Sequence, residues 1–416
     1  MSRARRARSA VRRHGAAQPG HPLIRATALV TAAALGFVTV GYEAYATRIE
    51  HEFDSVDNSS LIREVETTAS ADPEDTSAGQ DVNILLMGSD VRDGENGAIG
   101  GREAGGMRND TTVLLHISAD RTRVEAVSIP RDLQVQVSDC TLFDGTEVNG
   151  WYGDFNNAFG NGGKQGDAAE AAACAINTVQ DMTGIGIDHW AVVDFVGFED
   201  MIDSIGGVPM CIPQDISSTT ARLEITAGPH VLDGATALAY ARLRTAETGG
   251  VSGSDLQRIT RQQELLQQVA RTLLGKNLLT DIDQLTQFVK AMAASLTMDT
   301  QLGDLQYLQG LAWSLRGLRT DDITFATVPW EYTEDFLNVL ATEDAEAMWE
   351  QLRHDEPLTI DAEGDASSEW DSGRVEADSP TSSGSPTTND ASQQGTEGSA
   401  QDSAETVDDL LAECSI

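Results

Sequence analysis

The segment Val82-Asn83-Ile84-Leu85-Leu86-Met87, stopped at once by Gly88-Ser89-Asp90, constrains the fold more than any other stretch of this 416-residue chain. A short apolar run that ends at Gly-Ser-Asp reads as a buried strand feeding a functional loop. A strand buried on both faces needs helices to cover it, and the rest of the chain supplies them. Residues 111–117 and 123–129 read as a second and third strand, with a turn at Ala119-Asp120. Residues 166–182 are Ala-rich and helical, and 189–195 and 208–212 are further apolar strands. Residues 234–243 and 255–274 read as helices, followed by two more up to about 318, and 323–328 is a last strand. Strands alternating with helices predict a layered α/β domain.

The two ends of the chain differ from this middle. Seven Arg and no acid occupy the first 25 residues, ahead of an uncharged run over 26–42. Seventeen residues at ~1.5 Å rise just cross a hydrocarbon core, and the Arg cluster stays inside the cell. The reading is a single-pass anchor in the cell membrane with everything beyond 43 outside. Ala44-Tyr45-Ala46 also fits a cleavage site, which leaves a signal peptide as the rival. Either way the domain is exported. Residues 43–80 are polar and acidic and read as a stalk. The domain then runs over 81–335, with its C-terminal end at 336–356. Beyond 357 the Ser/Thr/Gly/Asp/Glu composition is too polar to fold alone, a disordered acidic tail. Net charge is −38, which argues against nucleic acid as a partner. Cys140, Cys174, Cys211 and Cys414 allow two disulfides in an exported chain. The loop-rich insertion flanked by Cys140 and Cys174 favours that pair. Cys414 either staples the tail or stays free.

Only three Lys occur, so a cationic site here is built from Arg. The Arg fall beside acids at strand ends: Gly88-Ser89-Asp90-Val91-Arg92, Arg108-Asn109-Asp110-Thr111-Thr112, Ser128-Ile129-Pro130-Arg131-Asp132, and Tyr240-Ala241-Arg242-Leu243-Arg244. On a helix starting at Asp255, Arg258 and Gln262 follow on the same face. Each cluster alone has a structural reading. Together, in so acidic a chain, they read as a phosphate grip, because guanidinium pairs with phosphate bidentately. Asp90 and Asp110 then form a hard-cation pair suited to Mg²⁺ (or Mn²⁺) against pyrophosphate oxygens. His116 and His189 lie in apolar strands and read as satisfied core histidines. Trp151-Tyr152, in a Gly/Asn-rich loop, either stacks on sugar or anchors the loop.

The ordered motifs GSDVR, RNDTT, SIPRD, NNAF, IDHWAVVDFVGFEDMIDSIGGVPMCIP, LDGATALAYARLR and DLQRITRQQ resemble the LytR-CpsA-Psr family of cell-wall phosphotransferases, over about 82–274. The resemblance implies a three-layer α/β/α domain around a mixed central sheet, with a hydrophobic pocket for a polyprenyl chain. It implies transfer of a glycopolymer, such as a teichoic acid or arabinogalactan, from a polyprenyl-pyrophosphate carrier onto a peptidoglycan acceptor outside the cytoplasmic membrane. Asp90 and Asp110 would be the Mg²⁺ ligands. Arg108, Arg131, Arg242, Arg244, Arg258 and Gln262 would hold the pyrophosphate, with Arg92 and Asp132 supporting them. Asp255 would be the base. One departure stands out: many members carry Lys where Asp154 precedes Phe155-Asn156 here, so either the site makes do with Arg or Lys164 of the same loop substitutes. A polyprenyl-pyrophosphate phosphatase and a non-catalytic lipid binder are the alternatives that the same residues allow.

Overall fold

The computed structural model describes residues 54–63, 65, 79–90, 107–249, 251, 255–275, 296–359 and 414. The basic tail, the proposed anchor, Arg92 and most of the acidic tail lie outside these residues. No helix among the described residues is long and apolar enough to cross a membrane.

The fold is mixed α/β, as the alternating pattern requires. Its centre is a seven-stranded sheet of β1 (Asp54–Val56), β2 (Val82–Ser89), β3 (Asn109–Ile117), β4 (Val124–Ile129), β5 (His189–Val193), β6 (Leu296–Asp299) and β7 (Ile323–Thr327). Their order across the sheet is β1-β6-β5-β2-β3-β4-β7. β2 and β5 are parallel, as are β1 with β6 and β4 with β7, while the remaining pairs are antiparallel, so the sheet is mixed. The helices are α1 (Asn156–Gly162), α2 (Ala168–Thr183), α3 (Phe195–Ser204), α4 (Gly234–Ala241), α5 (Asp255–Gly275), α6 (Leu305–Ser314) and α7 (Glu343–Arg353).

The period of two in β2 sorts its side chains between two cores. Leu85 and Met87 pack with Ala172, Ile176 and Val179 of α2 and with Trp349 and Leu352 of α7. Val82 and Ile84 face the other way, onto Tyr307 and Leu311 of α6. A third core lies apart from the sheet, where Ile202 of α3, Ala237 and Tyr240 of α4, and Leu265 and Val269 of α5 pack on the hairpin Val208–Ile212/Gly228–Leu232.

Several boundaries depart from the sequence reading. The strand expected over 189–195 ends at Val193, because the Asp194 carboxylate accepts from Gly197 N–H and caps α3 instead. The stalk expected over 43–80 gives up residues 54–61 to the domain. β1 joins the sheet edge, and buried Asn58 donates to Ala169 O (2.9 Å) and accepts from Trp190 Nε1 (3.0 Å). β7 is not the last strand: the hairpin Trp330–Tyr332/Val339–Ala341 and α7 follow it, and α7 closes the main core with Trp349. Cys140 pairs with Cys174, as their position around one insertion suggested, and Cys211 pairs with Cys414. Both core histidines are satisfied. His116 bonds Asn83 (2.8 Å) and Asp355 (3.1 Å), and His189 bonds Tyr307 (2.7 Å) and Asp299 (3.2 Å).

Candidate active site

The site forms at one end of the sheet, where β2 and β4 finish and β3 begins. β2 and β3 run in register to Gly88↔Thr111, and the next pair is Ser89↔Asn109. Asp110 is therefore the extra residue of a β-bulge, a device that re-aims a side chain out of the ladder. Just beyond it, Asp90 N–H donates to Arg108 O (2.9 Å), and Arg108 N–H donates to Asp90 Oδ1 (2.9 Å). Two backbone segments thus fix the Asp90 carboxylate beside the bulge. Asp90 is buried, whereas the Arg108 side chain is exposed.

Three guanidinium groups converge on Asp110 from three parts of the chain. Arg131, carried past the end of β4 by Pro130, donates from Nη1 to Asp110 Oδ1 at 2.7 Å. Its Nε also lies 3.2 Å from Asp132 Oδ1. Arg244, in the segment after α4, places Nη2 3.6 Å from the same Asp110 oxygen. Arg258 of α5, only 2 % exposed, donates from Nη2 to the Asp110 carbonyl (3.3 Å). Burial pushes the Asp110 carboxyl up, but Arg258, Arg131 and Arg244 together outweigh it and hold it below the ordinary carboxylate value. Asp110 therefore stays ionised at neutral pH, and its attraction to these cations fades only as pH falls through that lowered value.

The α5 helix is set by bonds to its neighbours. Gln263 Nε2 donates to Ala326 O (2.9 Å), Thr327 Oγ1 (2.8 Å) and Ser128 Oγ (3.1 Å), tying α5 to the ends of β4 and β7. Gln262 donates to Ala241 O (3.2 Å), and Arg261 donates to Leu243 O, so α5 also grips the segment that carries Arg242 and Arg244. The Tyr240 hydroxyl donates to Glu264 (3.3 Å) across the same joint.

The expected phosphate residues therefore divide. Arg131, Arg244 and Arg258 meet at Asp110. Arg242 instead lays its guanidinium over the Phe195 ring, 4.3 Å from the centroid, and Gln262 faces the end of α4. Arg108 flanks the site through its backbone, Arg92 is outside the described residues, and Asp255 opens α5 with its side chain outside them. Asp154 accepts from Gln134 within a strand pair, and Lys164 lies exposed in a single 3₁₀ turn. Sequence reasoning missed Arg261 and Gln263, which stand inside the DLQRITRQQ motif but look like a solvated helix face until the carbonyls they meet are seen.

Asp90, one residue past β2, and Asp110, in the bulge of β3, are the two carboxylates of the site. Mg²⁺ is held by one or two carboxylates plus phosphate oxygens and water, so these are the residues that could hold it. Among the described residues no group of three or more His, Cys, Asp or Glu is placed to hold a metal on its own.

Comparison with known proteins completes the description. The LytR_cpsA_psr family model matches residues 44–354. The cell wall biosynthesis protein LcpA of Corynebacterium glutamicum is 29% identical over 314 residues, covering 69% of this chain and 58% of that protein. The probable cell wall biosynthesis protein LcpB of the same organism is 32% identical over 281 residues, covering 65% and 61%. The polyisoprenyl-teichoic acid–peptidoglycan teichoic acid transferase TagV of Bacillus subtilis is 27% identical over 274 residues, covering 64% and 60%. The chain thus spans about three fifths of the length of these curated relatives. Among solved structures, the LytR-Csp2A-Psr enzyme from Actinomyces oris has a TM-score of 0.50 at 19% identity, covering 70% of this chain and 95% of that one, a likeness of fold.

Proposed function

We propose, from the premise that this chain belongs to the LytR-CpsA-Psr family, that it is a phosphotransferase moving a glycopolymer from a polyprenyl-pyrophosphate carrier onto a peptidoglycan hydroxyl. The observation that carries this reading is the convergence of Arg131 and Arg244 on the Asp110 carboxylate and of buried Arg258 on the same residue's carbonyl. Three guanidinium groups gathered at one bulged residue, Arg131 and Arg244 among them partly exposed, set donors for an anion in one place. A pyrophosphate is the anion-rich group that such a donor set suits. The named relatives act on polyisoprenyl-linked teichoic acid or in cell wall biosynthesis, which agrees with that chemistry.

The acceptor oxygen attacks the phosphorus nearer the sugar, a new O–P bond forms, and the bond to the bridging oxygen breaks. Polyprenyl phosphate leaves with the electron pair. Charge grows on the equatorial and bridging oxygens, where fixed guanidiniums stabilise it without reorganising. Arg131 and Arg244 are the groups at hand for those oxygens, and buried Arg258 holds Asp110 ionised beneath them. The family resemblance assigns Arg108, Arg242, Gln262 and Arg92 to the same grip, of which Arg108 flanks the site while Arg242 lies over Phe195 and Gln262 meets Ala241 O. Asp255, at the start of α5, is the carboxylate assigned to take the acceptor proton. Asp90 and Asp110 would hold Mg²⁺ (or Mn²⁺), which when bound neutralises phosphate charge.

The prenyl tail is assigned to the face of α3, of which only Gly197 and Ile202 are fully buried, with Phe198 and Met201 half-buried on the third core and Phe195 half-buried under Arg242. Each prenyl methylene covered there contributes ~0.8 kcal/mol. Residues 26–42 anchor the chain in the cell membrane with this domain outside, where donor and acceptor meet.

The test is release of polyprenyl phosphate by the full chain from a polyprenyl-pyrophosphate-linked sugar with Mg²⁺. Release that depends on peptidoglycan and is lost in Arg131→Ala supports the transferase. Equal release without acceptor makes it a phosphatase, and binding with no release makes it a lipid binder.

A further inference from the structure

A groove of about 540 Å³ opens along the strand Gln134–Gln136, and the phosphate chemistry uses none of the side chains that line it. Its floor is Gln134, Gln136, Ser138 and Asp139. One wall is Tyr152 and the other is Asp181, from the last turn of α2, with Arg63 beside it.

The groove is built rather than left over. Val137 N–H donates to Trp151 O (2.9 Å), pressing the loop just before Tyr152 onto the floor strand, with which Tyr152–Asp154 then pairs as a strand. A Cβ on Gly150 would lie 1.9 Å from Val137 O, so only glycine lets that loop come so close. On the far wall Asp181 accepts from Ser138 Oγ and from Arg63, whose Nη2 also donates to Asp139 O (2.9 Å). The Cys140–Cys174 disulfide then fastens the end of the floor strand to α2. Within this frame Tyr152, the first residue of a strand paired with Gln134–Gln136, is 62% exposed and is the aromatic ring that lines the groove. An aromatic ring held in solvent at the edge of a groove presents a binding face.

The chemistry of the lining selects a carbohydrate. Sugar hydroxyls donate and accept at once, which suits amides, a hydroxyl and carboxylates set side by side, and the C–H face of a pyranose packs on an aromatic ring. Gln134 and Gln136 each spend an amide hydrogen within the protein, on Asp154 and on Val137 O (3.0 Å), so their side chains are already oriented. The charge is the reverse of the reaction site. Asp139 and Asp181 outnumber Arg63 here, which disfavours a phosphate-bearing polymer and favours an uncharged one. The floor strand also starts at the phosphate. Gln136 is five residues beyond Arg131, at most about 18 Å along extended chain.

We propose that this groove is the subsite for the acceptor's glycan strand, holding a peptide-free stretch of amino-sugar polysaccharide while its terminal or neighbouring hydroxyl reaches the phosphorus beside Arg131. The proposal rests on the transferase reading for its role but not for its binding.

The test uses the full chain and a peptide-free β-1,4-linked amino-sugar tetrasaccharide, titrated calorimetrically against wild type, Tyr152→Ala, Tyr152→Phe and Gln136→Ala. Saturable binding by wild type is expected, weakened at least about tenfold in Tyr152→Ala and kept in Tyr152→Phe. In the transfer assay the acceptor KM of Tyr152→Ala should rise by a similar factor with the donor KM unchanged. No saturable binding by wild type, or equal binding by Tyr152→Ala, overturns the groove even where transfer proceeds. A donor KM that rises while the acceptor KM stays fixed overturns it too, by placing the donor's sugars there. Absence of transfer with tetrasaccharide binding still lost in Tyr152→Ala overturns the transferase reading and leaves the carbohydrate site standing.

Discussion

The two ends of the central sheet are both charged and both partly buried, yet they are assembled on opposite principles. At the far end, where β3 finishes and β4 begins, cations meet acids directly. Arg123 pairs with Glu125 (2.8 Å) and with Asp355, and His116 bonds Asn83 and Asp355 on its two nitrogens. At the near end, Arg131, Arg244 and Arg258 share Asp110. The carboxyl groups register the difference. Burial drives Glu125 above its ordinary value despite Arg123 and His116, whereas around Asp110 the cations win and the value falls. The far cluster sets buried acid against cation, whereas the near one gathers three guanidinium groups at one bulged residue.

That contrast can be broken by substitution. The largest effect is expected from Arg123→Ala, which leaves Glu125 buried without its ion pair. It should cost about 3–5 kcal/mol of unfolding free energy, read by denaturant titration, with turnover per folded molecule unchanged. Arg131→Ala should do the reverse, lowering kcat about 100- to 1,000-fold while costing clearly less stability than Arg123→Ala, because its side chain is partly exposed and is assigned to charge that develops in the transition state. Were both variants to lose the same property, the two ends would not differ as described. Next, Cys140→Ser opens a loop of 34 residues' separation and should lower stability by about 3 kcal/mol in oxidising buffer, with the deficit erased when wild type is reduced. The smallest effect sharpens the picture at the joint of α5. Gln263→Leu gives up bonds to Ala326 O and Thr327 Oγ1, for about 1 kcal/mol of stability and a loss of roughly tenfold in kcat/KM as Arg258 is released from its setting.

The pH dependence follows the same division. Asp110 contributes stability above its ordinary value of 3.8, and that contribution disappears as pH falls through its lower folded value. Glu125 acts with the opposite sign. Its raised folded value favours the protonated form, so it subtracts stability as pH rises from the ordinary 4.5 through that raised value. Glu125→Gln should therefore flatten the stability profile above pH 4.5, as followed by thermal melts at stepped pH; an unchanged slope would place the cost elsewhere.

What the sequence made legible was whatever local pattern controls. The apolar run of β2, the Ala-rich α2 and the acids and arginines at strand ends all announce themselves in order. The Cys140–Cys174 pair was readable because both residues flank one insertion. What stayed hidden depends on register and distant partners. That Asp110 is a bulge residue follows only from how β3 slips against Ser89. The carbonyls that Arg261 and Gln263 seek belong to segments far away in sequence. Residues 54–56 look like stalk because a three-residue edge strand has too little pattern to read, and its place is decided by pairing with β6. The end of β5 was readable in principle: Asp194 is a helix N-cap residue, and the apolar run through Phe195 masked it.

The most direct single measurement is a calorimetric titration of a short-chain prenyl pyrophosphate into the full chain with Mg²⁺, run beside Arg244→Ala and Arg123→Ala. Arg244 is exposed, so its loss leaves the fold intact. If the arginines at Asp110 form the pyrophosphate site, wild type and Arg123→Ala bind alike and Arg244→Ala binds at least about tenfold more weakly. Equal affinity in all three would contradict it, and so would a loss confined to Arg123→Ala.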